Sequence, residues 1–255
     1  MKRIYTEGEL TMKRIYTEGH RGLCAYYPEN TLLSYENAIE AGVDAIEFDV
    51  WLSKDNIPVL MHDGNAFRTT GINRNLRDMT LDEINALDPC YSQKFGEKFK
   101  GLVKVPTLKE LLELRKQKKS DIKLGVEIKE YTEQTVDITV AMLNEYGIDI
   151  AKDCWFYAFN GRIIRYLKET HGARTMGYPD FQMAEFDGYD AYDEIGLAMN
   201  LVRSELLELY ASKGLPIHMF CADTEEDVNY CIQRGASLIT ANDPYPLLET
   251  VKQKF

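Results

Sequence analysis

The sequence has no run of 18 apolar residues, no Gly-x-Gly-x-x-Gly after its first strand candidate, and no His-x-His or His-Glu-x-x-His pattern. The first absence removes a membrane-spanning helix. The second removes the usual signature of a dinucleotide-binding fold, and the third removes the common zinc-hydrolase motif. Cysteine is scarce: five residues at 24, 90, 154, 221 and 231, an odd number with no metal or redox spacing. A disulfide scaffold is therefore not expected, and Cys154 and Cys221, in apolar runs, read as core residues. Positive charge is also in deficit. Thirty Lys and Arg stand against 41 Asp and Glu, a net charge of −11, which argues against broad contact with nucleic acid or an anionic membrane. A locally positive pocket for a small phosphorylated ligand is still compatible with that balance. No apolar signal-peptide core is present, so a cytoplasmic location is the expectation.

What is present is an ordinary folded composition, 45% apolar and 28% charged over 255 residues, enough for one large core. "MKRIYTEG" occurs at 1–8 and again at 12–19. A period used only twice is no solenoid, and residues 1–11 read as a duplicated leader ahead of a single domain, 12–255. From there short apolar segments alternate with amphipathic ones. Strands are predicted at 14–19, 45–50, 123–128, 154–159, 173–177, 194–199, 216–221 and 237–241. Helices are predicted at 31–41, 107–118, 133–146, 160–170, 202–213 and 225–234, the second opened by a Thr107…Glu110 capping box. Eight strands joined mostly by helices predict an α/β TIM (β/α)8 barrel, with an open doubly wound sheet as the rival. "KDN" at 54–56 reads as a hairpin turn that returns the chain over the second strand. Residues 63–105 carry no strong strand and one short helix, "TLDEINALD", and read as a small inserted subdomain at the barrel mouth.

Only four histidines occur, and two of them, His20 and His62, fall at carboxyl ends of strand segments, the catalytic face of a barrel. Such a pair can divide acid and base duties near neutral pH; alone, each is equally well read as a loop residue. His171, at a helix end, and His218, mid-strand, read as structural. Side chains at i and i+2 share a strand face. This pairs Glu47 with Asp49, and Glu127 with Lys129. Any one of these carboxylates can be a strand-end ion pair. Three together inside a barrel are costly unless paired or metal-bound, and three hard oxygens suit Ca²⁺ or Mg²⁺ better than zinc. Arg21 offers a planar fork for an anion and Lys129 a point charge.

The segments "HRGLCAYYPENT", "AIEFDVWLSKDNIPVLMHDGNAFRTT", "VPTLKELL", "KLGVEIK", "YAFN", "GLPIHMF" and "LITANDP" together resemble the glycerophosphodiester phosphodiesterase family, from His20 to Pro244. The resemblance implies an eight-stranded barrel with a small insert, catalytic histidines at His20 and His62, and metal-binding carboxylates at Glu47, Asp49 and Glu127. It implies phosphate contacts at Arg21 and Lys129, one divalent ion, and a small glycerophosphodiester cleaved to glycerol 3-phosphate and an alcohol. Departures from the family pattern are Ala158, Phe220 with Cys221, and Ala241 with Asn242, where relatives commonly show serine, Trp-Thr and Thr-Asp. They bear on the leaving alcohol, for which Phe220 can supply an apolar wall. A lysophospholipid or inositol-bearing diester is the alternative substrate, and a non-catalytic phosphodiester-binding barrel the alternative class. Water and the substrate's own 2-hydroxyl both remain open as nucleophile, as do the separate assignments of acid and base.

Overall fold

Strands buried on both faces read as continuous apolar runs, and such strands are stable only where helices cover the outside of a parallel sheet. The computed structural model, which describes residues 14–254, has this arrangement. The leader at 1–11 lies outside the described residues. Nine strands form one sheet: β1 (Tyr16–Gly19), β2 (Ala45–Leu52), β3 (Pro58–Leu60), β4 (Lys123–Ile128), β5 (Cys154–Tyr157), β6 (Thr175–Gly177), β7 (Glu194–Ala198), β8 (Ile217–Phe220) and β9 (Leu238–Ala241). Parallel pairing runs β1–β2–β4–β5–β6–β7–β8–β9 and returns to β1, closing an eight-stranded barrel. All eight predicted strands are found, and the open-sheet rival is excluded by the β1–β2 and β1–β9 pairings. β3 is the ninth strand. It pairs antiparallel with β2 through the Lys54–Asn56 turn, where Asn56 adopts a positive φ of 61°.

The covering helices start and stop where the sequence provides caps. Thr107 and Glu110 form the predicted capping box at the start of Leu108–Gln117. Thr31 caps Leu32–Ala41, which ends at Gly42 with φ 89°. One expectation needs correction and one element is additional. The single helix expected over 202–213 is two pieces, Met199–Val202 and Leu206–Ala211, because the Ser204 hydroxyl donates to the Leu201 carbonyl and accepts from the Leu206 N–H. Such local bonding competes with helix continuation. A final helix, Tyr245–Lys254, was not anticipated.

Between β3 and Leu108 the chain holds more structure than the one predicted helix. Besides Leu81–Asn85 there are Phe67–Thr70, Ser92–Phe95 and a 3₁₀ turn at Leu76–Asp78. Each is too short to carry a helical period. Val59, Met61, Ala66, Leu76, Met79, Ile84, Leu87 and Val105 form a separate apolar cluster there, which anchors the hairpin next to the barrel mouth. No helix of the described residues is long and apolar enough to cross a membrane.

Candidate active site

The i, i+2 phase puts Glu47 and Asp49 on the inner face of β2, and the β2–β4 register sets Asp49 beside Glu127. One oxygen from each of the three lies within 4.8 Å of the others. This is a spread that bonds of about 2.3–2.6 Å to one cation can bridge. All three are buried, Asp49 completely. Lys129, two residues past Glu127, places its Nζ 2.9 Å from Glu127 and 3.6 Å from Asp49.

β1 delivers the next two residues. His20 follows its last residue, with its backbone N–H bonded to the Ala241 carbonyl across the β1–β9 seam. Arg21 has a positive φ of 51°, and its backbone N–H donates to Glu47 at 2.8 Å. Its guanidinium bonds Glu29 at 2.9 Å and approaches Asp49 at 3.4 Å. Gly22 makes this tight path possible: φ is 84°, and a Cβ there would lie 2.5 Å from Ser34 Oγ. His62 arrives from the hairpin. The Met61 N–H bonds the Asp49 carbonyl, and Trp51 Nε1 donates to the His62 carbonyl at 3.3 Å. The imidazole Nδ1 meets Asp63 at 2.7 Å, and Arg68 ties Asp63 to Glu29.

His20, Arg21, Glu47, His62, Glu127, Lys129 and Phe220 all line one cavity of about 330 Å³; Asp49, beside Glu127 in register and fully buried, does not line it. His20 Nε2 is 3.9 Å from Glu47. The opposite wall is aromatic: Phe159 stacks on Tyr178 at 3.6 Å, and Phe220 meets Tyr178 edge-on. His171 is elsewhere, on the outer surface against Asp137. His218 is on the inner face of β8 at the cavity floor, bonded to Thr240, which in turn donates to Glu18. Cys221 corrects an expectation: it is not core but lines the cavity, 3.5 Å from His20 Nδ1. Among the described residues every cysteine is free.

Several supporting contacts were not expected from the sequence. Asn30 donates to Asp49 at 2.7 Å and is itself held by Tyr35. Glu29 bridges Arg21 and Arg68. Asn242 accepts from the His20 ring at 2.7 Å. Glu29 and Asn30 belong to the "PENT" segment, so their proximity to His20 in sequence was a usable signal.

The electrostatics are strained in a particular way. Burial and then Asp49 push the Glu47 carboxyl well up, and the same causes move Glu127 up to about 7. Burial also opposes ionisation of Asp49, but Arg21 and Lys129 outweigh it and hold that carboxyl below its ordinary value. Burial and Arg21 depress His20 to about 4, and burial lowers His62 against the pull of Asp49. Glu47 Oε1 and Asp49 Oδ1 are buried without a hydrogen-bond partner among the described residues. Carboxyl oxygens buried without a partner are expensive, whether the group is charged or neutral. Their convergence fits a hard divalent cation.

The model of the glycerophosphoryl diester phosphodiesterase family matches residues 20–245. The chain belongs to this family. It is 30% identical over 244 residues to a glycerophosphodiester phosphodiesterase of Caldanaerobacter subterraneus, covering 92% of this chain and 96% of that one. Two solved structures share the barrel. One is a phosphodiesterase of Oleispira antarctica in complex with the product sn-glycerol-3-phosphate, at TM-score 0.79 and 23% identity, covering 93% of this chain and 96% of that one. The other is the glycerophosphodiester phosphodiesterase of Agrobacterium tumefaciens, at TM-score 0.75 and 23% identity, covering 94% and 100%. The chain is thus a phosphodiesterase-family hydrolase on a TIM barrel.

Proposed function

We propose that this enzyme hydrolyses small glycerophosphodiesters to glycerol 3-phosphate and a free alcohol, with His20 and His62 as its two proton-transfer groups. The observation that carries the reading is that both histidines line one cavity with Glu47 and Glu127, that Asp49 offers an oxygen within 4.8 Å of theirs, and that one oxygen each of Glu47 and Asp49 has no hydrogen-bond partner among the described residues. Family membership supports the substrate class. We read residues 12–255 as one barrel unit and about 63–105 as its insert.

Glu47, Asp49 and Glu127 are the residues that would hold one divalent ion, Ca²⁺ by preference over Mg²⁺, because three carboxylate oxygens spread over up to 4.8 Å suit a cation that tolerates longer bonds. When bound, the ion supplies electrostatic stabilisation of charge on the phosphoryl oxygens. The chain's own residues do the rest. Arg21 and Lys129 face the anionic phosphate and complete a positive cradle in an otherwise acidic protein. The Glu29 bond keeps the Arg21 fork aimed. Burial lowers both imidazole pKa values, which favours the proton-accepting form; one ring takes the proton of the nucleophile and the other, in its protonated form, gives one to the leaving alcohol. Asp63 beside His62 stabilises the imidazolium once it forms. Phe220, with Tyr178 and Phe159, gives the leaving alcohol an apolar wall.

The test is a diester panel of glycerophosphocholine, glycerophosphoethanolamine, glycerophosphoinositol and a lysophospholipid. Each is incubated with chelated protein and with protein resupplied with Ca²⁺ or Mg²⁺, and both products are quantified. Glycerol 3-phosphate should appear from the small diesters only after an ion is restored. Full turnover in rigorously metal-free protein would overturn the metal assignment. Turnover of the lysophospholipid alone would overturn the substrate class.

A further inference from the structure

The loops after β8 and β9 hold a hydrogen-bonded chain that ends on His20. Asp223 accepts the backbone N–H of Asn242 at 2.6 Å and that of Asp243 at 3.1 Å, so its carboxylate is fixed to the end of β9. Its second oxygen accepts the Asn242 side-chain amide at 2.7 Å. A carboxylate only accepts, so Asn242 must present its NH₂ to Asp223 and its carbonyl oxygen in the other direction. That oxygen lies 2.7 Å from His20 Nδ1, and the Cys24 thiol points at the same oxygen from 3.1 Å. An amide oxygen also only accepts, so the partner nitrogen of His20 must carry the hydrogen. Cys221 Sγ, 3.5 Å from Nδ1, is a weak partner at most and does not compete.

We infer that Asp223 and Asn242 form a positioning relay that locks His20 in the Nδ1–H tautomer, leaving Nε2 as the nitrogen that exchanges protons with the substrate. The direction of every bond in the relay follows from acceptor-only groups and so does not depend on how the amide is drawn. The lock also fixes the ring plane, with Nε2 toward Glu47 and the cavity. Neither Asn242 nor Asp223 touches the cavity. They act through His20, as the partner of a catalytic imidazole does in other hydrolases. The inference rests on His20 being a proton-transfer group.

The same logic supplies an exchange test. N242D alone would set two carboxylates against each other. N242D with D223N reverses the direction of the middle bond while keeping the net charge: the carboxylate now at position 242 accepts both from His20 and from the amide now at position 223. N242A should lower kcat by roughly 10–100-fold, the usual range for loss of an orienting partner, with KM within about threefold. The double variant should recover kcat to within a few-fold of the parent. Nitrogen-15 NMR of ring-labelled histidine at pH 8, with the H20N variant assigning the signal, reads the tautomer directly. Nδ1 should be the protonated, pyrrole-type nitrogen in the parent and in the double variant, and N242A should show a tautomer mixture. An Nε2–H ring in the parent overturns the relay, and that spectrum needs no variant of the relay to fold. A double variant as slow as N242A overturns it as well. If H20N itself keeps near-parent turnover, the catalytic reading of His20 fails instead, whatever tautomer the spectrum shows.

Discussion

Glu194 and the trio of Glu47, Asp49 and Glu127 are all buried carboxylates of the same barrel, held in opposite circumstances. Glu194 opens β7 at the amino end. It accepts from Trp155 Nε1 at 2.7 Å, from the Ser237 hydroxyl at 2.9 Å, and from the Arg174 guanidinium, which also lies over the Trp155 ring. Every oxygen has a donor and the charge has a counter-ion. At the carboxyl end three carboxylates crowd one another, two of their oxygens have no donor among the described residues, and Glu47 and Glu127 are pushed up toward their neutral forms. Burial of an acid is thus no mark of function by itself. An acid left unsatisfied beside others is a stronger one, because the fold has retained a cost that a bound cation can remove.

The largest expected effect lies with the residues that share the unsatisfied end. His20→Ala and His62→Ala should each reduce turnover by roughly 10²–10⁴-fold, the range for loss of a proton-transfer group. His171→Ala, on the outer surface, should leave turnover within about twofold. Steady-state rates on protein shown to be folded by circular dichroism decide the matter. Near-parent turnover in either cavity variant removes that histidine from the proton-transfer role.

A smaller effect separates the two ends by their affinity for ions. Asp49→Asn keeps the size of the side chain and deletes a charge, so Ca²⁺ binding should weaken by about one to two orders of magnitude, with activity partly restored by excess ion. In the parent, burial and then Asp49 move Glu127 up to about 7, so a cation competes with a proton for this carboxylate. Calorimetry in buffers of different ionisation enthalpy should therefore find more protons released on Ca²⁺ binding at pH 6 than at pH 8, and apparent affinity rising with pH between them. Affinity flat across that range would mean the trio is already ionised and does not crowd as the geometry implies. In the Asp49→Asn variant the rise should move to lower pH, since Asp49 is a main cause, after burial, of the raised Glu127 value.

The contrast between the two ends also marks what could be read from residues alone. The i, i+2 phase found Glu47 with Asp49, and the closed barrel was visible because each strand is a buried apolar run between caps. The KDN turn placed His62 correctly, since hairpin chemistry is local. The contacts of Asn242 and Cys221 with His20 were invisible for the opposite reason, although both residues had stood out as departures from the family pattern. These contacts exist only because β8 pairs with β9 and β9 closes onto β1, which brings Asn242 to a residue 222 positions away in the chain. Glu18 and His218 were hidden likewise: which face of a fully buried strand points inward is set by barrel register, not by hydrophobic alternation. The short helices of the 63–105 segment fell below the length at which a period can be counted.

The smallest effect on activity should come from the satisfied end, and it is the sharpest test of the distinction. Glu194→Gln keeps the shape of the side chain but withdraws the charge facing Arg174, and it substitutes an NH₂ for one acceptor oxygen. One of the three donors around it then faces another donor. Loss of a hydrogen-bonded charge at a buried position costs about 1–3 kcal/mol, and because Arg174 is partly exposed the lower half of that range is expected. Thermal unfolding should shift down accordingly. Turnover per folded molecule should stay within about twofold, and Ca²⁺ affinity should be unchanged, since Glu194 is not among the residues that line the cavity. If Glu194→Gln instead lowers Ca²⁺ affinity tenfold while the protein remains folded, the two ends are coupled through the barrel interior, and the unsatisfied oxygens at the mouth no longer suffice to define the site.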